Sequence, residues 1–247
     1  MSKLEPVSCL FFSFENKLLS LSHKTMKLAL ITDIHEQAAG LERVLASAHH
    51  LGCDEVACLG DITGYDSDLY AFDRSLSASA CVKLVKENCR WVVAGNHDRD
   101  PILNRQDLSD ADVEYLDSLP ESLVITPDSS GILLSHYLFP DFTGSSLAFI
   151  RRLNQLDRLY DLLLEMDVRL AFAGHDHPAG VGFGYPRPYH WTGSIRKAFH
   201  YMPFHRYELD GQLMVCLLPA VATRSGRPGF SVWDTDARVL DVIQLVP

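Results

Sequence analysis

A mixed α/β sandwich, two packed β-sheets flanked by helices, is the fold class predicted for this 247-residue chain, and three observations predict it. Short apolar runs alternate with amphipathic helical stretches through the first two-thirds. The final third is strand-rich, and five of the short runs end on clusters of polar, ligand-type side chains. Those runs are Leu28 to Ile31, Val56 to Leu59, Trp91 to Ala94, Ile132 to Leu134 and Leu170 to Ala173, all short enough for buried strands rather than helices. The length fits one large domain over residues 26–247, preceded by an extension over residues 1–25.

In the extension, Leu10, Phe11 and Phe12 look like the start of a signal core, but Glu5 and Glu15 flank them and no small-residue cleavage pattern follows. It reads as an appended, loosely ordered segment, and Met26-Lys27 before the first strand would make a natural translation start. Glu36 to Leu51 carries Leu41, Val44, Leu45, Ala48 and Leu51 on one helical stripe, closed by Gly52. The strand Glu55 to Leu59 follows, then a helical stretch over Ser67 to Asn88 with a break around Ser75 to Ser79. Pro101, Pro120 and Pro127 punctuate residues 100–130, leaving a short helix over Asp110 to Leu119. Phe149 to Met166 is amphipathic, with Leu153, Leu156, Leu159, Leu163 and Met166 on one face. Pro178 to Pro188 reads as Gly- and Pro-rich loop, followed by strand-like pieces at His190 to Met202 and Arg206 to Leu209. Two hairpins are expected: Asp210-Gly211 joining Arg206–Leu209 to Leu213–Leu218, and Thr235 to Ala237 joining Phe230–Trp233 to Val239–Val246.

Hydrophobic residues at 47% and charged residues at 22% give a globular balance, and no apolar stretch approaches the ~20 residues of a membrane helix. The formal charge of −10 stays negative even with two divalent ions added, which disfavours non-specific nucleic-acid binding and leaves a small phosphorylated substrate as the expected partner. Cys9, Cys53, Cys58, Cys81, Cys89 and Cys216 form no CxxC pair, so they are expected to be reduced packing residues in a cytoplasmic protein.

The polar clusters carry the chemistry. Asp33 and His35 stand two apart after the first run, and on extended backbone would face the same way, able to share an ion; the alternative makes Asp33 a helix N-cap. Gly60 lets the backbone approach closely, so the Asp61 carboxylate could bridge two ions, although Gly-Asp alone is a turn signature. Asn96 offers a neutral amide oxygen; His97 reads as a general acid or phosphoryl donor over the ions, or as a loop histidine satisfied by Asp98. His136 is a ligand or a core histidine, whereas the pair His175 and His177 can aim two imidazoles at adjacent ions, with Asp176 facing away. All five clusters together read as a two-metal hydrolytic site.

This ordered set, Asp-x-His, Gly-Asp, Gly-Asn-His-Asp, Ser-His and Gly-His-x-His over residues 27–177, resembles the calcineurin-like metallophosphoesterase superfamily. The resemblance implies one metal site of Asp33, His35, Asp61 and His177, and another of Asp61, Asn96, His136 and His175, with Asp61 bridging and His97 catalytic. Gly60-Asp61-Ile62-Thr63-Gly64-Tyr65 looks like the branch of small bacterial phosphodiesterases. Protein phosphatases and dinucleoside tetraphosphatases carry Asp-Arg-Gly here, and Gly64 takes the place of the Asp that would support the catalytic histidine. Ser135 replaces the usual Gly before the fourth-motif His, and the branch's Asn-Pro-Gly-Ser turn is missing, with Gly193-Ser194 or Ser225-Gly226 as stand-ins.

The implied reaction is hydrolysis of a small phosphoester, foremost a phosphodiester, by attack of water or hydroxide held by two divalent transition-metal ions, with His97 as general acid. Imidazole, carboxylate and amide ligands suit manganese, iron, zinc, cobalt or nickel rather than calcium. Arg99, Arg196, Arg224 and Arg227 are candidates for gripping the rest of the substrate, and the aromatics of residues 178–206 with His190, His200 and His205 are candidates for a pocket. The alternatives are a phosphomonoesterase, a nucleotide pyrophosphatase, or a non-catalytic scaffold on the same fold.

Overall fold

The computed structural model describes residues 19–20, 26–64, 76–99, 107–127, 131–138, 153–184, 199–211, 213–223 and 226–246. Among them the order is β1 (Leu19–Ser20), β2 (Lys27–Ile31), α1 (Ala38–His50), β3 (Glu55–Cys58), α2 (Ala78–Asn88), β4 (Trp91–Val92), a 3-10 turn (His97–Arg99), α3 (Asp110–Ser118), β5 (Ser122–Thr126), β6 (Gly131–Ser135), α4 (Leu153–Glu165), β7 (Val168–Ala173), β8 (Val181–Gly184), β9 (His200–Met202), β10 (Arg206–Glu208), β11 (Met214–Leu217), β12 (Gly229–Asp234) and β13 (Val239–Gln244). One sheet runs β10-β13-β12-β2-β3-β4 and the other β1-β5-β6-β7-β11-β8-β9.

Period-two alternation divides each central strand between two cores. In β2, Leu28 and Leu30 point between the sheets to meet Leu134, Phe172 and Cys216, while Ala29 and Ile31 point outward to Leu41 and Val44 of α1 and Val82 and Val85 of α2. In β7, Leu170 and Phe172 face inward, and Ala171 and Ala173 face Leu156, Leu159 and Leu163 of α4. The result is four layers, helix, sheet, sheet, helix, in which each fully buried Leu contributes about 1.5–3 kcal/mol relative to exposure. The predicted two-sheet sandwich is the observed architecture.

Helix starts follow local chemistry. The Ser77 hydroxyl accepts from the Ala80 N–H, and Ser109 with Asp112 forms a reciprocal capping box at α3. Gln37 precedes α1, so Asp33 is not that helix's N-cap. The helical stretch read over Ser67 to Asn88 breaks where expected, at Ser77, which caps α2 (Ala78–Asn88); residues 67–75 lie outside the described residues, as do Phe149 to Arg152.

Two expectations need correction. The stretch read as loop over Pro178 to Pro188 contains β8, which pairs antiparallel with both β11 and β9. Its glycines misled the reading: at Gly182 the Tyr201 ring crosses the strand so closely that an added Cβ would lie 3.1 Å from it. Asp210-Gly211 does not close a hairpin, because β10 pairs with β13 while β11 pairs with β7 and β8, so this turn passes the chain from one sheet to the other. Ser122–Thr126, not singled out in the sequence, is a strand antiparallel to β6. The second hairpin forms as expected, with Asp234 opposite Val239.

Of residues 1–25, Leu19 and Ser20 add a short parallel strand beside Ile125 and Thr126 of β5; the rest lies outside the described residues. No described helix is long and apolar enough to cross a membrane. The described cysteines are all free, and burial pushes the thiols up, Cys53 to about 11 and Cys89 to about 12, so they are packing groups rather than nucleophiles.

Candidate metal centre

Strands β2, β3 and β4 run parallel in one sheet, and β6 and β7 run parallel in the other. Their carboxyl ends therefore open on the same side, where the following loops form the crevice usual for α/β sheets. The first two loops zip together: Asp33 N–H donates to the Gly60 carbonyl at 3.0 Å, Ile34 and His35 N–H to that of Asp61 at 2.8 and 2.9 Å, and Glu36 N–H to that of Ile62 at 3.0 Å.

The side chains do not converge through extended backbone. Asp33 (φ 54°), His35 (φ 45°), Asp61 (φ 52°), His175 (φ 68°) and His177 (φ 46°) all occupy the left-handed region, which corrects the reading of Asp33/His35 and His175/His177 as neighbours along a strand face. Left-handed backbone in non-glycine residues costs free energy and clusters where a site over-determines it. Close approach is the second device. A Cβ on Gly95 would lie 2.1 Å from Asp61 Oδ1, and one on Gly174 would lie 1.9 Å from Thr32 Oγ1 and 2.6 Å from Asp33 Oδ2.

Seven expected ligands are brought together. Asp33 Oδ1 lies 3.0 Å from His177 Nε2 and 3.9 Å from His35 Nε2, and the two imidazole nitrogens are 3.4 Å apart. On the other side, His136 Nε2 and His175 Nδ1 are 3.3 Å apart, each 3.1 Å from Asn96 Oδ1. Asp61 Oδ2 sits between the two groups, 3.6 Å from His35 Nε2 and 3.3 Å from His136 Nε2. Asp33/His35/His177 and Asp61/His136/His175 each gather ligand atoms within 4.8 Å, so each could hold an ion.

The ring orientations fit that use. His35 Nδ1–H donates to the Gly64 carbonyl at 2.9 Å and His136 Nδ1–H to that of Leu59 at 2.8 Å, which leaves Nε2 of both rings turned toward the centre, able to ligate once it carries no proton. Lone-pair nitrogens facing one another across 3.3–3.4 Å need a cation or a proton between them. The charge balance agrees. Burial pushes Asp33 and Asp61 up, yet the surrounding imidazoles, His177 for Asp33 and His136 for Asp61, hold both well below the usual carboxylate range. For His136 burial is outweighed by Asp61 and Asp33, which raise it to about 10, and Asp33 likewise raises His177. His35 and His175 are lowered to about 4, chiefly by burial.

His97 overlooks this cluster with Nε2 3.9 Å from Asp61 Oδ2, and can join His35 and Asp61 in a third possible ligand group. Its backbone N–H donates to Asp61 Oδ1 at 2.9 Å, while its buried Nδ1 has no hydrogen-bond partner among the described residues. Gly64 lies directly beneath, where a Cβ would be 2.4 Å from His97 Cβ, so no carboxylate supports the ring from that position. Asp98 does not satisfy His97 through its side chain. It is fully buried and accepts from Ile62, Thr63 and Gly95 instead, and burial followed by Asp61 raises it to about 6.

Sequence reasoning missed Asp98 as a structural group, Thr32, whose hydroxyl donates to Asp33 Oδ2 at 2.8 Å, and Tyr137, whose ring packs 4.8 Å from that of His175. Only the position of Asp98 inside a motif could have pointed to it. Arg99 is tied to Glu121 at 2.9 Å and to the Leu119 carbonyl at 2.6 Å, and Arg227 is exposed. Arg196, Arg224, His190, Gly193-Ser194 and Ser225 lie outside the described residues. Ser135 is buried beside His136, as a small residue there should be. Tyr201 on β9 donates to the Asp176 carboxylate.

A sequence profile of the calcineurin-like phosphoesterase superfamily domain matches residues 26–184, and the chain belongs to that superfamily. Domains of this kind usually bind divalent metal ions. An uncharacterized protein of Methanocaldococcus jannaschii is 30% identical over 146 residues, 47% of this chain and 55% of that protein, so the chain spans about half the length of the curated relative it matches. A metallophosphoesterase from Sphaerobacter thermophilus has a similar structure, with TM-score 0.66 at 21% identity over 90% of this chain and 89% of that one. A hypothetical protein from Pyrococcus horikoshii gives TM-score 0.56 at 14% identity over 89% and 87%. Both likenesses speak to the fold.

Proposed function

We propose that this chain hydrolyses a small phosphoester, foremost a phosphodiester, at a two-ion centre in which Asp33, His35, Asp61 and His177 hold one ion and Asp61, Asn96, His136 and His175 the other. The observation that carries the reading is Asp61 Oδ2, within 3.6 Å of His35 Nε2 and 3.3 Å of His136 Nε2, between two converging ligand groups. When bound, two divalent ions supply Lewis acidity that lowers the pKa of water toward ~7 and neutralises charge on phosphoryl oxygens. Manganese, iron, zinc, cobalt and nickel suit the donor set.

The protein's own groups do the rest. His35 and His136 are held in one tautomer by the Gly64 and Leu59 carbonyls, and Asn96 contributes a neutral oxygen that adds no further charge to a site already holding two carboxylates. His97, partly exposed above Asp61, gives a proton or hydrogen bond through Nε2 to the departing oxygen, an effect of about 10²–10⁴-fold. Arg196, Arg224 and Arg227 are proposed to grip the non-reacting part of the substrate; Arg99 would first have to leave Glu121. The preference for a diester rests on the Gly-Asp-Ile-Thr-Gly-Tyr motif and on Gly64 beneath His97. A cytoplasmic setting is part of the proposal, supported by the free thiols.

The test is a side-by-side assay of an activated phosphodiester and the matching monoester with manganese added. Faster diester turnover is expected. A monoester preference would make the protein a phosphomonoesterase, and no turnover of either with any of the five metals would leave the scaffold reading.

A further inference from the structure

Among the described residues, one fully buried acid has no part in the proposed mechanism. Asp98 is 0% exposed, and its carboxylate joins two motif loops. Oδ1 accepts from Ile62 N–H at 2.8 Å, Thr63 N–H at 3.0 Å and the Thr63 hydroxyl at 3.2 Å, all on the loop after β3. Oδ2 accepts from Gly95 N–H at 2.9 Å on the loop after β4. Burying a carboxylate is costly unless hydrogen bonds offset it, so these donors are locked to it and, through it, to one another. Asp61 precedes the first set of donors and Asn96 follows the last.

We propose that Asp98 is a positioning residue that sets the second ion site by fixing the spacing between Asp61 and Asn96. The inference rests on the two-ion reading. The two loops are not equally anchored. Asp61 is also held by four backbone hydrogen bonds from Asp33 to Glu36, whereas the loop that places Asn96 beside His136 and His175 has, besides Asp98, two flanking ties, Ala94 N–H to the Pro120 carbonyl at 2.8 Å and His97 N–H to Asp61 Oδ1 at 2.9 Å. Loosening Asp98 therefore moves Asn96 more than Asp61. The first site, built on Asp33, His35 and His177, keeps its geometry while the second loses its amide oxygen.

The experiment titrates the full apo chain with manganese and reads both dissociation constants, together with the melting temperature of the apo protein. In Asp98→Asn the shape is kept, but the amide N–H₂ faces Gly95 N–H, donor against donor. Expected are a ~10–100-fold weaker second ion, the usual cost of losing an outer partner, and a first ion near the wild-type constant. Equal weakening of both ions, or two unchanged constants, would overturn the proposal. Should Asp98→Asn not fold, Thr63→Val decides: it removes one donor from Asp98, and a several-fold weaker second ion supports the proposal while an unchanged one overturns it. If the wild type itself takes up fewer than two manganese ions, the two-ion reading fails instead.

Discussion

Replacing His97 with alanine separates catalysis from metal holding more cleanly than any other change in this site. The ring's Nε2 is 3.9 Å from Asp61 Oδ2, beyond hydrogen-bond range, and its Nδ1 has no partner among the described residues, so removing it leaves no buried group newly unpaired. The contact that orients Asp61 is the His97 backbone N–H at 2.9 Å, which alanine retains. Folding stability and metal content should therefore stay near wild type while the leaving oxygen loses its proton donor. That loss is ~10²–10⁴-fold in kcat, or about 3–5 kcal/mol of transition-state stabilisation. The assay pairs steady-state hydrolysis of an activated diester with metal analysis of the same sample. A variant that loses an ion, or one whose kcat falls less than about tenfold, would refute the reasoning and make His97 a ligand or a bystander.

Asp61→Ala removes the carboxylate proposed to bridge both ions, whose Oδ2 lies 3.6 Å from His35 Nε2 and 3.3 Å from His136 Nε2, and should reduce bound metal below one ion per chain and abolish turnover, read by metal analysis after desalting. Gly174→Ala places a methyl where Thr32 Oγ1 and Asp33 Oδ2 lie 1.9 and 2.6 Å away, so it should destabilise the fold by about 1–3 kcal/mol in denaturant and weaken metal binding together. Metal affinity should rise with pH. His136 is raised to about 10 in the metal-free protein, so its proton must leave before its nitrogen can ligate, giving about tenfold tighter binding per pH unit for each proton released, up to about pH 10. Calorimetry in buffers of different ionisation enthalpy counts those protons, and pH-independent binding would contradict the assigned charge state.

The layers and the clustering of the candidate ligands were legible because both depend on local signals. A strand buried on both faces shows as a short apolar run, and a ligand cluster at its end shows as a motif, as at Leu28–Ile31 followed by Asp33 and His35. What escaped depends on partners distant in sequence. Gly182 and Gly184 look like loop, yet their missing side chains admit Tyr201 and Phe199, and β8 lies between two antiparallel neighbours. Asp210-Gly211 has a hairpin's composition, but the strand beside β10 is β13. The left-handed turns at Asp33, Asp61 and His175 left no mark, since each looks like an ordinary strand end in sequence. Asp98 entered the sequence reading only as the alternative partner of the adjacent His97, whereas its partners begin 36 residues earlier at Ile62.

The most direct test of the account adds manganese stepwise to the metal-free chain and follows hydrolysis of an activated phosphodiester against ions bound per chain. Turnover that climbs with the second equivalent and levels off at two is the predicted result. Turnover complete at one ion, or absent with two ions bound, would contradict a shared two-ion centre built around Asp61.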